Sequence, residues 1–326
     1  MALAVTFVAP CTHAAGFQRG FAADPDGKPL EISIWYPSAA AATSVSFGPT
    51  TMSVAVNAPV QGKDLPLVVV SHGNGGSSLS HFDTAIALAD AGFVVVAVTH
   101  TGDNYADQSR SLDVMDRPRH ISRAIDHMLG VWDGKAVIDA ARVGVFGFSS
   151  GGFTALASIG GVPDFLKIAP MCQQFPGDYA CQLMARSAGS LTPPSSAAMA
   201  NAFDRRIKSA VVAAPALGFT FNPDGLKNVS VPVQLWRAEN DDLVPHPRYA
   251  EAVRLALPQA PDYRVVSNAG HFDFLAPCSS ALAEIAPAIC SSAVGFDRAA
   301  FHASLNEAVV NFFGKTLEVG SKTASR

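Results

Sequence analysis

The chain has 326 residues, 49% of them hydrophobic and 15% charged, with 23 basic against 27 acidic side chains and a formal net charge of −4. Soluble domains carry about 25% charged residues, so a disordered chain, which needs high net charge and little apolar content, is excluded. The basic excess of a nucleic-acid-binding surface is missing, and no apolar run reaches the roughly 18 residues that a membrane span needs.

In chain order, residues 1–15 are apolar and end in Thr12-His13-Ala14-Ala15, which reads as a remnant of a signal peptide. No Lys or Arg precedes Arg19, so the positive region of such a leader is lacking. Residues 16–326 are expected to form one domain without internal repeats. Leu30–Tyr36 alternates like a strand with one wet face. Leu67–Val70 and Phe93–Val98 are continuous apolar runs, as in strands covered on both faces. Between them Phe82–Ala91 reads as a helix, stopped by Gly92. Arg119–Leu129 is a second helix, with Ile121, Ile125, Met128 and Leu129 on one face. The runs Val143–Phe146, Ala210–Ala213, Val233–Trp236 and Tyr263–Val266 follow, and a helix over Phe301–Phe313 closes the chain. Strands alternating with helices predict a mostly parallel sheet wrapped on both faces. From Gly160 to Arg206 the sequence is rich in Pro, Gly, Ser and Ala, and residues 160–206 are expected to form a small inserted cap.

Cys172 with Cys181, and Cys278 with Cys290, bracket two short loops, which suggests two disulfides and an exported, periplasmic or secreted protein. Five unpaired thiols, Cys11 included, in a cytoplasmic enzyme are the alternative. Neither pair has the tight spacing of a zinc knuckle, and no metal is expected.

The most informative segment is Gly147-Phe148-Ser149-Ser150-Gly151, which a buried strand enters and a helix-compatible sequence leaves. That context is the nucleophile elbow: the glycines admit close backbone approach, and the turn exposes the Ser149 hydroxyl. Ser150 has its amide at the new helix's N-terminus, where an oxyanion is stabilised. A serine hydroxyl needs a base, and His271 stands in a Gly-containing loop after the last predicted strand. The base needs a carboxylate to fix its tautomer, and Asp241 and Asp242 follow the preceding strand. Asp241 is favoured by its register before Pro245, Asp242 is the alternative, and Glu239 reads as a solvated loop charge. A second oxyanion donor is expected from Ser71-His72-Gly73-Asn74-Gly75-Gly76, with Asn74 as the donor and His72 holding the loop. The Lys-Ser/Thr ending of a phosphate-binding P-loop is absent there. His100–Tyr105, after another strand, is expected to border the pocket.

Ile34-Trp35-Tyr36-Pro37, Ser71-His72-Gly73-Asn74-Gly75, Gly147–Gly152 and Gly270-His271-Phe272 occur in the order seen in α/β-hydrolases. Over Gly16–Phe313 the chain most resembles the bacterial dienelactone-hydrolase-like proteins related to platelet-activating-factor acetylhydrolases. The resemblance implies an eight-stranded, mostly parallel α/β-hydrolase sheet and hydrolysis of carboxylic esters, often with short acyl groups. It implies no cofactor, and small-molecule or lipid-like esters as the partners. The paired cysteines also look like features of exported members. True dienelactone hydrolases use a cysteine where Ser149 stands, so lactone specificity does not follow. Polyesters, lactones or phospholipid acetyl esters are the alternative substrates, and a catalytically silent binding protein is the rival from another class. The sequence leaves the oligomeric state open.

Overall fold

The structure, a computed structural model, describes residues 14–186 and 202–318. Most of the expected leader, with Cys11, and residues 187–201 of the expected cap lie outside the described residues.

Ten strands make up the sheet: β1 (Ala14–Ala22), β2 (Leu30–Ser38), β3 (Thr43–Phe47), β4 (Thr50–Val56), β5 (Leu65–Ser71), β6 (Val94–Thr99), β7 (Ile138–Phe148), β8 (Ile207–Ala213), β9 (Val233–Ala238) and β10 (Asp262–Val266). Their order is β10-β9-β8-β7-β5-β6-β2-β1-β4-β3. Strands β5 to β10 run parallel, and β2 is antiparallel to both β1 and β6. The eight-stranded sheet implied by the resemblance runs from β10 to β1. The β3–β4 hairpin extends it, with β4 paired to β1 through Gly16–Ala55 and Phe17–Val56.

The helices that position the site are α1 (Phe82–Asp90), α2 (Arg117–Gly130), α3 (Ser150–Ser158), α4 (Ile168–Gln174), α5 (Tyr179–Arg186), α6 (Ala250–Ala256) and α7 (Arg298–Thr316). Successive strand side chains point to opposite faces, so one apolar run feeds two cores. Leu67 and Val69 join Ile121, Ile125, Phe153 and Val253, beneath α2, α3 and α6. Val68 and Val70 join Leu88, Leu305, Val309 and Phe313, beneath α1 and α7. All twelve side chains are buried. Each contributes about 1.5–3 kcal/mol on burial, which leaves the loops at the strand ends free to serve chemistry.

Strand β2 lacks the wet face its alternation predicts. Ser33 is fully buried because the segment leading into α1 covers it, and its Oγ shares a hydrogen bond of 2.9 Å with Ser78 Oγ. The sheet's topology then singles out one location. From β5 the chain crosses to β6 on one side, and from β7 to β8 on the other, so a crevice opens outside the carboxyl ends of β5 and β7.

Candidate active site

Ser149 sits at that crevice, between β7 and α3, with φ 55° and ψ −117°. This left-handed conformation is costly for a residue with a side chain and persists only where its surroundings enforce it. Here they do. The Ser149 amide donates to Ala213 O and its carbonyl accepts from the Ala216 amide, both at 2.9 Å, tying the turn to the end of β8 and the segment beyond it. A Cβ on Gly151 would collide with the Ser71 carbonyl, so that position of the motif admits glycine alone.

His271 follows β10, and its Nε2 lies 2.9 Å from Ser149 Oγ. On the other side of the ring, Nδ1 donates to Asp241 Oδ2 at 2.8 Å. Asp241 Oδ1 accepts from the amides of Leu243 and Val244 at 3.0 and 2.8 Å, which fixes the carboxylate in its own loop. With its proton on Nδ1, the imidazole presents a free Nε2 lone pair to the hydroxyl. Ser149, His271 and Asp241 are 9%, 6% and 5% exposed, so the row is screened from water yet open at the serine end. Asp242 points into solvent and does not join it. Glu239 is exposed, as expected of a loop charge, and its Oε2 accepts from the Asn268 amide at 2.9 Å.

The loop after β5 packs against the serine: a Cβ on Gly73 would meet Ser149 Cβ at 3.2 Å. The Asn74 side chain is fully engaged, Nδ2 donating to Asp103 Oδ1 at 2.6 Å and Oδ1 accepting from Tyr179 Oη at 3.1 Å. Its amide makes no backbone hydrogen bond among the described residues. The Ser150 amide is the first of α3, where N–H groups have no partner within the helix. Two donors are therefore free to approach an oxygen near Ser149 Oγ. His72 holds the loop, as its sequence context suggests. Its Nδ1 donates to Gly73 O at 2.6 Å and its Nε2 accepts from the His100 amide at 3.0 Å. Burial first, then the Arg117 charge, pulls its pKa down to about 3, so it stays neutral.

Two features escaped the sequence. Asp273 Oδ2 accepts from the Gly270 amide at 2.7 Å, and Arg298 Nε donates to Asp273 Oδ1 at 3.0 Å, which together brace the turn carrying His271. Asp103, buried in the expected pocket-border segment, pairs with buried Arg117. Nothing local in the sequence distinguishes these charges from surface ones, because their partners are distant along the chain. For Asp273 alone there is a signal, its position two residues after His271.

Over the serine lies a cleft enclosing about 640 Å³ including its open mouth, with Leu112, Val114, Phe153, Met184, Leu217 and Val244 in its walls. Helix α5 of the expected cap region forms part of that wall, through Tyr179, Ala180 and Met184. A Cys172–Cys181 disulfide joins α4 to α5, and a second links Cys278 to Cys290, matching the pairs suggested by the sequence. Tyr249 Oη donates to Asp178, and burial together with that carboxylate holds the phenol well above its usual pKa. Among the described residues no three His, Cys, Asp or Glu side chains are grouped to hold a metal ion, and no helix is long and apolar enough to cross a membrane. A row of hydroxyl, imidazole and carboxylate beside two free amides can generate an alkoxide and hold an oxyanion.

The model of the alpha/beta hydrolase family matches residues 67–288. No curated protein matches the chain. Among solved structures, a ferulic acid esterase from Streptomyces cinnamoneus superposes with a TM-score of 0.62 at 19% identity, covering 95% of this chain and 91% of its own, a likeness of fold.

Proposed function

The chain belongs to the alpha/beta hydrolase family, and on that premise we propose that it is a serine carboxylic-ester hydrolase working through an acyl-enzyme on short-chain acyl esters. The observation that carries the reading is the unbroken row from Ser149 Oγ through His271 to Asp241 at the floor of an apolar cleft. His271 Nε2 takes the hydroxyl proton as Ser149 Oγ attacks the ester carbonyl. Asp241 keeps the second ring proton on Nδ1 and stabilises the imidazolium that forms. The Asn74 and Ser150 amides receive the oxyanion, a contribution of about 2.7–4 kcal/mol for each donor in comparable sites. The tetrahedral species collapses, the C–O bond to the alcohol breaks, and His271 gives its proton to the departing alkoxide. Water, deprotonated by the same imidazole, then attacks the acyl-enzyme; the acyl bond to Ser149 Oγ breaks, His271 returns the proton to Oγ, and the acid leaves. No step calls for a metal or cofactor.

The Trp35-Tyr36-Pro37 and Ser71-His72-Gly73 elements keep the narrower likeness to dienelactone-hydrolase-like and platelet-activating-factor acetylhydrolase-like proteins within this proposal. The two disulfides favour an oxidising compartment, periplasmic or extracellular. A panel of chromogenic esters graded by acyl length tests the substrate class. Turnover greatest for acetyl to butyryl esters supports it, a maximum on long-chain, polymeric or lactone substrates shifts it, and no turnover of any ester removes it.

A further inference from the structure

We propose that the buried Asp103–Arg117 ion pair is a positioning device that sets both donors of the oxyanion site at once, an inference that rests on the acyl-transfer reading above. Asp103 lies in the turn after β6 and Arg117 opens α2, and their side chains are 3% and 2% exposed. Asp103 Oδ1 accepts from Asn74 Nδ2 at 2.6 Å, from the Gly75 amide at 3.0 Å and from Ser111 Oγ at 3.4 Å. Its Oδ2 accepts from Arg117 Nη1. The guanidinium reaches two further groups: Nη2 donates to the His72 carbonyl, and Nε donates to Thr154 Oγ1 at 3.2 Å. Thr154 Oγ1 in turn donates to the Ser150 carbonyl at 2.8 Å.

These bonds share one pattern. The His72 carbonyl and the Gly75 amide flank Asn74 on either side, so the pair grips the loop around the Asn74 peptide. Through Thr154 it also grips the first turn of α3, whose Ser150 amide is the second donor. A buried ion pair is weak evidence of stabilisation, since well-packed apolar residues often do as well. A planar fork with donors in fixed directions instead sets geometry, which a point charge does not. Charge matters too. A lone carboxylate behind the oxyanion loop opposes the developing negative charge, and Arg117 cancels it without leaving a net charge beside the substrate.

The test compares Asp103→Asn and Arg117→Lys with the parent enzyme, using a chromogenic ester, an aryl trifluoromethyl ketone and a non-hydrolysable ether of the same acyl shape. The ketone's serine adduct carries an oxyanion, and the ether does not. In folded protein, kcat is expected to fall at least about tenfold, with ketone affinity falling in step and KM and ether affinity changing less than about twofold. Lysine is expected not to rescue, because it keeps the charge and loses the fork. Kinetics and ketone affinity within about twofold of the parent in Asp103→Asn, or rescue by Arg117→Lys, overturn the proposal. If neither variant folds, Thr154→Val cuts only the arm to Ser150. A smaller kcat loss at constant KM is then expected, and unchanged ketone affinity overturns the idea. A parent that neither turns over esters nor binds the ketone removes the acyl-transfer reading itself, and this proposal with it.

Discussion

Asp241 Oδ2 accepts the His271 Nδ1 hydrogen at 2.8 Å, whereas the adjacent Asp242 faces solvent. Two neighbouring carboxylates thus have different consequences when neutralised. Asp241→Asn leaves the fold but lets the imidazole adopt the wrong tautomer, and kcat is expected to fall by about 10³- to 10⁴-fold. Asp242→Asn is expected to stay within about twofold of the parent. Steady-state kinetics on one short-chain ester separates the two, and a large loss confined to Asp242→Asn reverses the assignment.

Gly151 faces the Ser71 carbonyl so closely that a methyl group has no room. Gly151→Ala has to push α3 away from β5, at an overpacking cost of about 1–3 kcal/mol. Urea unfolding is expected to show that loss together with reduced turnover, because the same shift moves Ser149 from His271. A variant as stable and as active as the parent contradicts the packing described.

The Cys172–Cys181 bond closes a loop between α4 and α5, with a sequence separation of 9. For a loop of this size the chain-entropy model gives about 2–3 kcal/mol. Replacing both cysteines by serine is expected to lower stability by that amount and to raise KM more than it lowers kcat, since α5 walls the cleft without touching the reacting atoms. Denaturant unfolding and initial rates measure both effects. A kcat loss at constant KM places α5 nearer the chemistry than the structure does.

Acid is expected to destabilise the fold. His72, His81, His100 and His120 are buried, and burial is the largest cause lowering each below the ordinary 6.5, to about 3 for His72 and about 4 for His81. In the unfolded chain they titrate near the ordinary value, so between there and the folded values the unfolded state binds more protons. Their contribution is complete above pH 6.5 and is lost as pH falls toward the folded values. Thermal unfolding from pH 8 to pH 5 is expected to show a falling Tm. His81→Leu, at a ring packed 5.1 and 5.4 Å from Phe146 and Phe148, is expected to flatten the acid limb. A Tm that rises on acidification refutes the assignment of these histidines as buried and neutral.

Much of the scaffold was legible because its signals are local. Leu67–Val70 and Phe93–Val98 are long enough apolar runs to require cover on both faces, and Gly147–Gly151 states its own turn. Strand β3 was not legible: Thr43-Ser44-Val45-Ser46-Phe47 is largely exposed, and its inward face is reduced to Val45 and Phe47, too short a pattern to read as a strand. Strand β1 was hidden because its first residues read as the end of a leader, while Gly16, Arg19 and Gly20 break its pattern. At the site, chain order indicated Ser149 and His271 and narrowed the carboxylate to two residues. In the folded chain only the buried one, Asp241, meets the ring. The charges that hold the loops, Asp103 with Arg117 and Asp273 with Arg298, look like surface residues in sequence. Their meaning comes from partners that only the folded chain brings near.

Covalent labelling by a fluorophosphonate, followed by peptide mass mapping of the parent and of Ser149→Ala, tests Ser149 as the nucleophile most directly. A single stoichiometric adduct on Ser149 is expected, matched by loss of ester hydrolysis, with no adduct in a Ser149→Ala protein that keeps the parent's fold. An unlabelled Ser149 in an active parent, or undiminished hydrolysis by Ser149→Ala, contradicts that role.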